Sequence, residues 1–182
     1  MEFTCPNCGC TIPLPEIARF QTYEIRVASI LNGECAPPFT PHYDVHNCAT
    51  FPSLTFQVKY SELGYPRRNT IKGKTYQQQV WTWNAAKWSD DAPDYFVLCG
   101  IGSNALDETW FLVDRVTFKR FSSANGVGGR ILQANNNRYQ RSRGGTGRIT
   151  GRLTRLFQYE CKLEDVIEAV QKREAWRQDG LL

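Results

Sequence analysis

No stretch of this 182-residue chain approaches the ~18–20 consecutive apolar residues that a membrane-crossing helix needs, so the sequence predicts no helical span and no membrane partner. The start, Met1-Glu2-Phe3-Thr4-Cys5-Pro6, lacks a basic segment followed by an apolar one. No signal peptide is expected, and the chain reads as intracellular and cytoplasmic. Seven cysteines are an odd number in a chain without a secretion signal. A disulfide framework is therefore not expected, whereas free or metal-bound thiols suit a reducing compartment. Acidic residues are missing altogether from residues 115–159, which hold ten Arg and Lys. The net charge is only +4, so this imbalance is local. Such a one-sign segment predicts an anionic partner, most commonly nucleic acid. What is present is enough for a core: 41% of residues are apolar and 13% aromatic, in a length that fits one domain with a small appendage.

In chain order, residues 1–14 form a cysteine-containing extension. Cys5-x-x-Cys8-Gly9 has the shape of half a zinc site, and Cys10, Cys35, His42, His46 and Cys48 are the candidates for completing four ligands. A helix is predicted over residues 15–32, after Pro13 and Pro15, ending in a left-handed cap at Asn32-Gly33. Phe20, Val27, Ala28 and Leu31 form its apolar stripe, and Glu24 lies on that stripe. A carboxylate there is costly unless it is paired, protonated or bound to a cation. A partner such as Arg26 is the purely structural account of it. Residues 33–43, with three prolines, read as a stiff connection. Strands are predicted near 43–46, 54–60, 95–101 and 109–113. The run 95–101 is continuously apolar, as in a central strand. A basic loop holds Arg67, Arg68, Lys72 and Lys74. Residues 75–88, rich in Trp, are assigned to a helix or irregular segment against the sheet. Residues 162–177 form the strongest helical pattern.

The organising stretch is Asp44 to Ser61. Asp44 lies thirteen positions before Gln57. Leu54, Phe56 and Val58 point to one face of their strand, and Thr55, Gln57 and Lys59 to the other, because side chains alternate with period two. Gln57 and Lys59 thus emerge side by side, within reach of an acid across a tight turn, which suits a metal and water site. Ser61 shares that face.

Helix-borne Glu24, then Asp44, then strand-borne Gln57-Val58-Lys59 resembles the PD-(D/E)XK nuclease superfamily. The resemblance covers about residues 15–115. It implies an α/β (α+β mixed-sheet) fold with a restriction-endonuclease-like αβββαβ core at 15–115, followed over 116–182 by a basic, DNA-contacting appendage and a C-terminal helix. Two departures are visible: Tyr43 precedes Asp44 where Pro is common, and Gln57 replaces the usual acid. Gln-x-Lys variants occur in some restriction enzymes and in one type of homing endonuclease. The small size and Arg-rich segment suit the homing type.

The implied activity is hydrolysis of DNA phosphodiesters with Mg²⁺ or Mn²⁺. The resemblance makes Asp44, Gln57, the Val58 carbonyl and Glu24 the metal ligands, and Lys59 the residue that orients water or stabilises transition-state charge. Glu24, Asp44, Gln57 and Lys59 are the expected catalytic set. Arg67, Arg68, Arg130, Arg138, Arg141, Arg143, Arg148 and Arg152 are the expected contacts to double-stranded DNA. Cutting both strands implies a homodimer or higher homo-oligomer. Cys5 and Cys8 are the possible zinc ligands. Type II restriction endonuclease, non-catalytic DNA-binding module, a zinc-centred His46-Asn47-Cys48 nuclease, and a protein-interaction domain built on the Trp cluster are the alternatives. Only two histidines disfavour the zinc-centred nuclease.

Overall fold

The computed structural model describes residues 2–4, 11–37, 40–64, 67–71, 74–78, 80–85, 88–89, 91–102, 107–124, 128–135 and 155–180, with 2–4, 12–20, 67–78, 135 and 155 described by their backbone. A hairpin of β1 (Glu2–Thr4) and β2 (Thr11–Pro13) leads into α1 (Leu14–Leu31). Then follow β3 (Glu34–Cys35), β4 (Val45–His46), β5 (Phe56–Glu62), β6 (Arg67–Ile71), β7 (Lys74–Gln78) and β8 (Val80–Ala85). The chain continues through β9 (Tyr95–Ile101), β10 (Glu108–Asp114), α2 (Arg115–Phe121), β11 (Ser123–Ala124) and β12 (Arg130–Asn135). A 3-10 turn at Arg155–Tyr159 precedes β13 (Glu160–Cys161), and another at Leu163–Asp165 opens α3 (Val166–Gln178).

A mixed six-stranded sheet, in the order β13-β10-β9-β5-β4-β3, is the frame. Only β5 and β9 are parallel; the other pairs are antiparallel. A parallel pair is normally covered on both faces, and all seven residues of β9 are buried accordingly. On one face, Phe56, Val58, Tyr95, Val97 and Leu112 pack with Val27, Ala28 and Leu31 of α1 and Val166 and Val170 of α3. On the other, Phe96, Leu98, Phe111 and Val113 pack with Trp81, Trp83, Phe118, Leu132 and Leu156. That second face is roofed by α2 and a three-stranded sheet, β11-β12-β8. Among the described residues, no helix is long and apolar enough to cross a membrane.

The helix over 15–32 is present and ends as its sequence predicts. Asn32 is left-handed at φ 48°, and its N–H bonds Ser29 O while the Gly33 N–H bonds Ala28 O at 2.9 Å. This pair of bonds is a Schellman cap. α3 likewise occupies the predicted C-terminal helix. The stiff connection 33–43 contains a strand, β3, that pairs with β4.

Residues 75–88 contain strands β7 and β8, not a helix. In β8 the period-two pattern wins: Trp81, Trp83 and Ala85 are buried, while Thr82 and Asn84 are not. Branched and aromatic residues suit a pleated, half-buried surface. The indole N–H groups of Trp81 and Trp83 donate to Ile101 O at 2.8 Å and Cys99 O at 3.0 Å. Both large side chains are thereby anchored across β9. Part of the segment predicted as basic loop after 115 is also ordered: Asp114 caps α2 by accepting from Thr117 N at 2.7 Å and Thr117 Oγ1 at 2.9 Å.

Gly100 lets Trp81 lie flat on β9. A Cβ at that position would sit 2.5 Å from two indole carbons. Gly100→Ala is expected to lower unfolding free energy by about 1–3 kcal/mol through overpacking. Urea denaturation followed by Trp fluorescence measures this; an unchanged midpoint would show that the ring has room to move.

Candidate active site

The site begins where β5 loses its neighbour. β4 matches β5 only at Val45↔Phe56, and the Asp44 N–H donates to Phe56 O at 2.8 Å. Two residues along, the Asp44 carboxylate replaces the strand: Val58 N–H donates to Asp44 Oδ2 at 2.7 Å. In an extended strand a residue's N–H and C=O point to the same side, so the Val58 carbonyl faces the same edge as Asp44. Asp44 is itself fixed through its backbone, because Ala36 N–H donates to Asp44 O at 2.8 Å. Two residues before it, His42 holds φ 81°, a region that L-residues rarely adopt.

Gln57 and Lys59 occupy the opposite face of β5 from Phe56 and Val58, as the alternation predicts. Their β9 partners, Phe96 and Leu98, belong to the second core. Both Gln57 and Lys59 are partly buried. Glu24 is on α1, at the head of the stripe that buries Val27, Ala28 and Leu31. Its charge is felt at Lys59, and so is that of Asp44. Sequence-distant Glu24, Asp44 and Lys59 are therefore one electrostatic unit.

Burial pushes the Glu24 carboxyl up to about 7; Asp44 pushes in the same direction and Lys59 opposes. Burial also raises Asp44, against the lowering effects of Lys59 and the Val58 N–H. Burial depresses Lys59, against the two carboxylates. Arg26 does not relieve Glu24. It makes a bidentate pair with Glu108 at 2.7 and 2.8 Å, and Trp110 Nε1 donates to the same carboxylate at 3.1 Å. Two carboxylates thus face one ammonium, a set with spare negative charge when all are ionised.

That donor set fits a hard divalent cation. Asp44 Oδ2 is engaged by Val58, but the carboxylate retains its second oxygen, and the Glu24 carboxyl, Gln57 amide and Val58 carbonyl are also oxygen donors. Among the described residues, no group of three or more His, Cys, Asp or Glu is arranged to hold a metal. A site with two carboxylates matches the way Mg²⁺ is held by one or two carboxylates, with waters and substrate phosphate completing its shell.

The remaining predicted residues divide. Arg67 and Arg68 lie on β6, which pairs only with β7. Arg130 is turned inward: it donates to Ser122 Oγ at 2.6 Å, Lys119 O at 2.8 Å and Ser122 O at 3.0 Å, and lies over the Trp88 ring. These bonds close the end of α2. Arg138, Arg141, Arg143, Arg148 and Arg152 lie outside the described residues, as do Cys5, Cys8 and Cys10. Cys48 is buried, its thiol pushed up to about 11 by burial. Ser61 is occupied by accepting from Thr82 N at 2.8 Å, tying β5 to β8.

Cys35, a zinc-ligand candidate in the sequence, lies close enough to the acidic site to feel the charges of Glu24 and Asp44. The residue is exposed, and its thiol is raised by partial desolvation and then by those charges. The β3–β4 pairing that brings it there is too short to read from its Pro-rich surroundings. Of the Trp cluster, Trp81 and Trp83 are buried and Trp88 is half-buried, stacked on Phe96 and Phe118, so the three do not form an exposed interaction patch. The chain matches no family model and no curated protein.

The elevated Glu24 makes stability depend on pH. Between about 4.5 and 7 the folded state holds a proton that the unfolded state releases, so stability falls as pH rises through this window and stays lower above it. In EDTA, Glu24→Gln is expected to stabilise the protein at pH 8 by about 1–2 kcal/mol and to change little at pH 4.5. Denaturant titrations at both pH values measure the difference. Equal effects at both would remove the buried carboxylate as their cause.

Proposed function

We propose that this protein is a metal-dependent DNA endonuclease with a restriction-endonuclease-like core of PD-(D/E)XK type, acting at a specific DNA site, most closely in the manner of a homing enzyme. The observation that carries the reading is the electrostatic union of Glu24, Asp44 and Lys59 beside the Val58 peptide at the open edge of β5. The three residues come from separate parts of the chain, in the order and on the elements that the nuclease pattern requires.

In this reading Asp44, Glu24, the Gln57 amide oxygen and the Val58 carbonyl hold Mg²⁺ or Mn²⁺. When bound, the ion supplies positive charge to the scissile phosphate and lowers the pKa of an attacking water. Lys59 donates to that water or to the charge developing on phosphorus-bound oxygen. Its partly buried setting strengthens that interaction relative to bulk water. Without the ion the Glu24 carboxyl lies at about 7, so binding of the cation would release its proton at neutral pH. Asp44 is held in place by Val58, so its free oxygen is presented without rotamer search.

The basic segments supply the attraction to double-stranded DNA, and two copies of the chain supply the two cuts. One difference from the αβββαβ order bears on the proposal. The crossover between parallel strands β5 and β9 is built from β6, β7 and β8, where that core has a helix. The catalytic set does not draw on this crossover.

The test is cleavage of a library of long duplexes by purified protein with Mg²⁺ or Mn²⁺. Defined fragments are expected from the wild type, with rates reduced at least about 100-fold in Lys59→Ala and Asp44→Asn and abolished by EDTA. Retained DNA binding with no cutting across sequences and metals would make the chain a binding module. Equal cutting by the Lys59 and Asp44 variants would place the chemistry elsewhere.

A further inference from the structure

We infer that the β6–β7 ribbon is the base-reading arm of this protein and docks in the major groove of duplex DNA. The ribbon is an antiparallel pair in the register Arg67↔Gln78, Arg68↔Gln77, Asn69↔Tyr76, Thr70↔Thr75 and Ile71↔Lys74. Among the described residues it forms a two-stranded sheet of its own, apart from the sheets that bury the two cores. An isolated two-stranded ribbon is marginal in water and needs something to lie against.

Its composition says what that something is. Of the ten paired positions, only Ile71 and Tyr76 are large and apolar, so neither face carries a stripe that a protein core would bury. No acidic residue occurs from 64 to 79, while Arg67, Arg68, Lys72 and Lys74 supply four positive charges. Residues opposite one another in an antiparallel pair share a face, and alternate residues along a strand share it too. Positions 68, 70, 75 and 77 make one face: Arg, Thr, Thr and Gln. Those are side chains with the donors and acceptors that read base edges, Arg suiting guanine and Gln suiting adenine. Five residues per strand give a ribbon about 17 Å long. The major groove, about 12 Å wide, admits a two-stranded ribbon.

Position in the chain supports the same use. The ribbon follows β5 directly, so the strand that carries Lys59 continues, after residues 63–66, into β6. The inference rests on duplex DNA being the ligand, as in the proposed function, but not on its being cut.

The full-length protein in EDTA is used to select duplexes from a randomised library, beside Arg68→Lys, Gln77→Ala and Lys74→Ala. Arg68→Lys keeps the charge and removes the fork. Wild type is expected to select fixed bases, and Arg68→Lys and Gln77→Ala each to lose a preference of roughly 5- to 150-fold at one base pair. Lys74→Ala is expected to weaken binding evenly and to reduce the salt slope by about 0.9. Unchanged thermal midpoints establish that the variants are folded.

Base preferences that survive both Arg68→Lys and Gln77→Ala would overturn the ribbon's role, and so would wild-type binding without any preference. The nuclease reading stands in either case if the same preparation cuts DNA with Mg²⁺. Preferences lost in the ribbon variants, from a wild type that cuts nothing with Mg²⁺ or Mn²⁺, would sustain the arm and remove the nuclease. A wild type that retains no duplex would overturn both.

Discussion

A strand edge that ends early has to satisfy its backbone some other way, and here one carboxylate does it. Beyond Phe56, β4 no longer runs beside β5, and Asp44 takes the Val58 N–H at 2.7 Å. A charge-assisted bond of this kind is shorter and stronger than a neutral one. It fixes an acid at a sheet edge without filling the gap that the missing strand leaves. It also turns the Val58 carbonyl toward that gap. Lengthening β4 by two residues would have satisfied the same N–H and closed the place where Glu24 and Lys59 meet Asp44. The site exists because the pairing stops.

The rest of the fold keeps that edge in position. β9 is the middle of the structure, and its parallel bond to β5 needs cover on both faces. Helices α1 and α3 supply one side, and the Trp81–Trp83 roof supplies the other. α1 brings Glu24 to the edge as a consequence of burying Val27, Ala28 and Leu31. α3 is fastened by charge as well as packing: Arg173 meets Asp114 at 3.3 Å, and Glu174 accepts from the buried Tyr95 hydroxyl. Asp114 thereby caps α2 and ties α3 down at once. The two cores converge on the strands whose edge carries the candidate site.

What was legible in the sequence follows the range of the interactions responsible. The Schellman end of α1 is written locally in Asn32-Gly33, and β9 in an unbroken apolar run. Glu24 stood out because a carboxylate on an apolar stripe is a local anomaly. The alternation that puts Gln57 beside Lys59 needs only period two. Residues 75–88 were harder, since Tyr76, Val80, Trp83 and Trp88 also satisfy helical spacing. Backbone pairing with β12, some fifty residues on, decides for a strand, and the indole bonds to Ile101 O and Cys99 O, twenty and sixteen residues away, anchor it. The intramolecular bonds of Arg130 are hidden from the sequence for the same reason. Its charge is visible in the sequence, but Ser122 and Lys119, which absorb its donors, become its neighbours only after α2 folds back onto β12. β3 is two residues long and its pairing is entirely non-local, so Cys35 gave no sign of its place beside the acids.

The strongest argument for function lies in how this molecule treats its other ion pairs. Among the described residues, Arg26 takes Glu108, Arg115 takes Asp94, Arg173 takes Asp114 and Arg177 takes Glu174, each one cation to one carboxylate. A structural account of Glu24 and Asp44 would have the same balance. Here two acids share Lys59, and the nearest arginine in sequence, Arg26, is committed to Glu108 by two hydrogen bonds. Keeping Glu24 there has a cost: burial first, and the Asp44 charge second, raise its carboxyl to about 7. Replacing Glu24 by an apolar residue would remove that cost and extend the stripe. Stability alone therefore does not account for the glutamate. The proposed divalent cation would account for it, by supplying positive charge beside Asp44 and Glu24 at the open edge of β5.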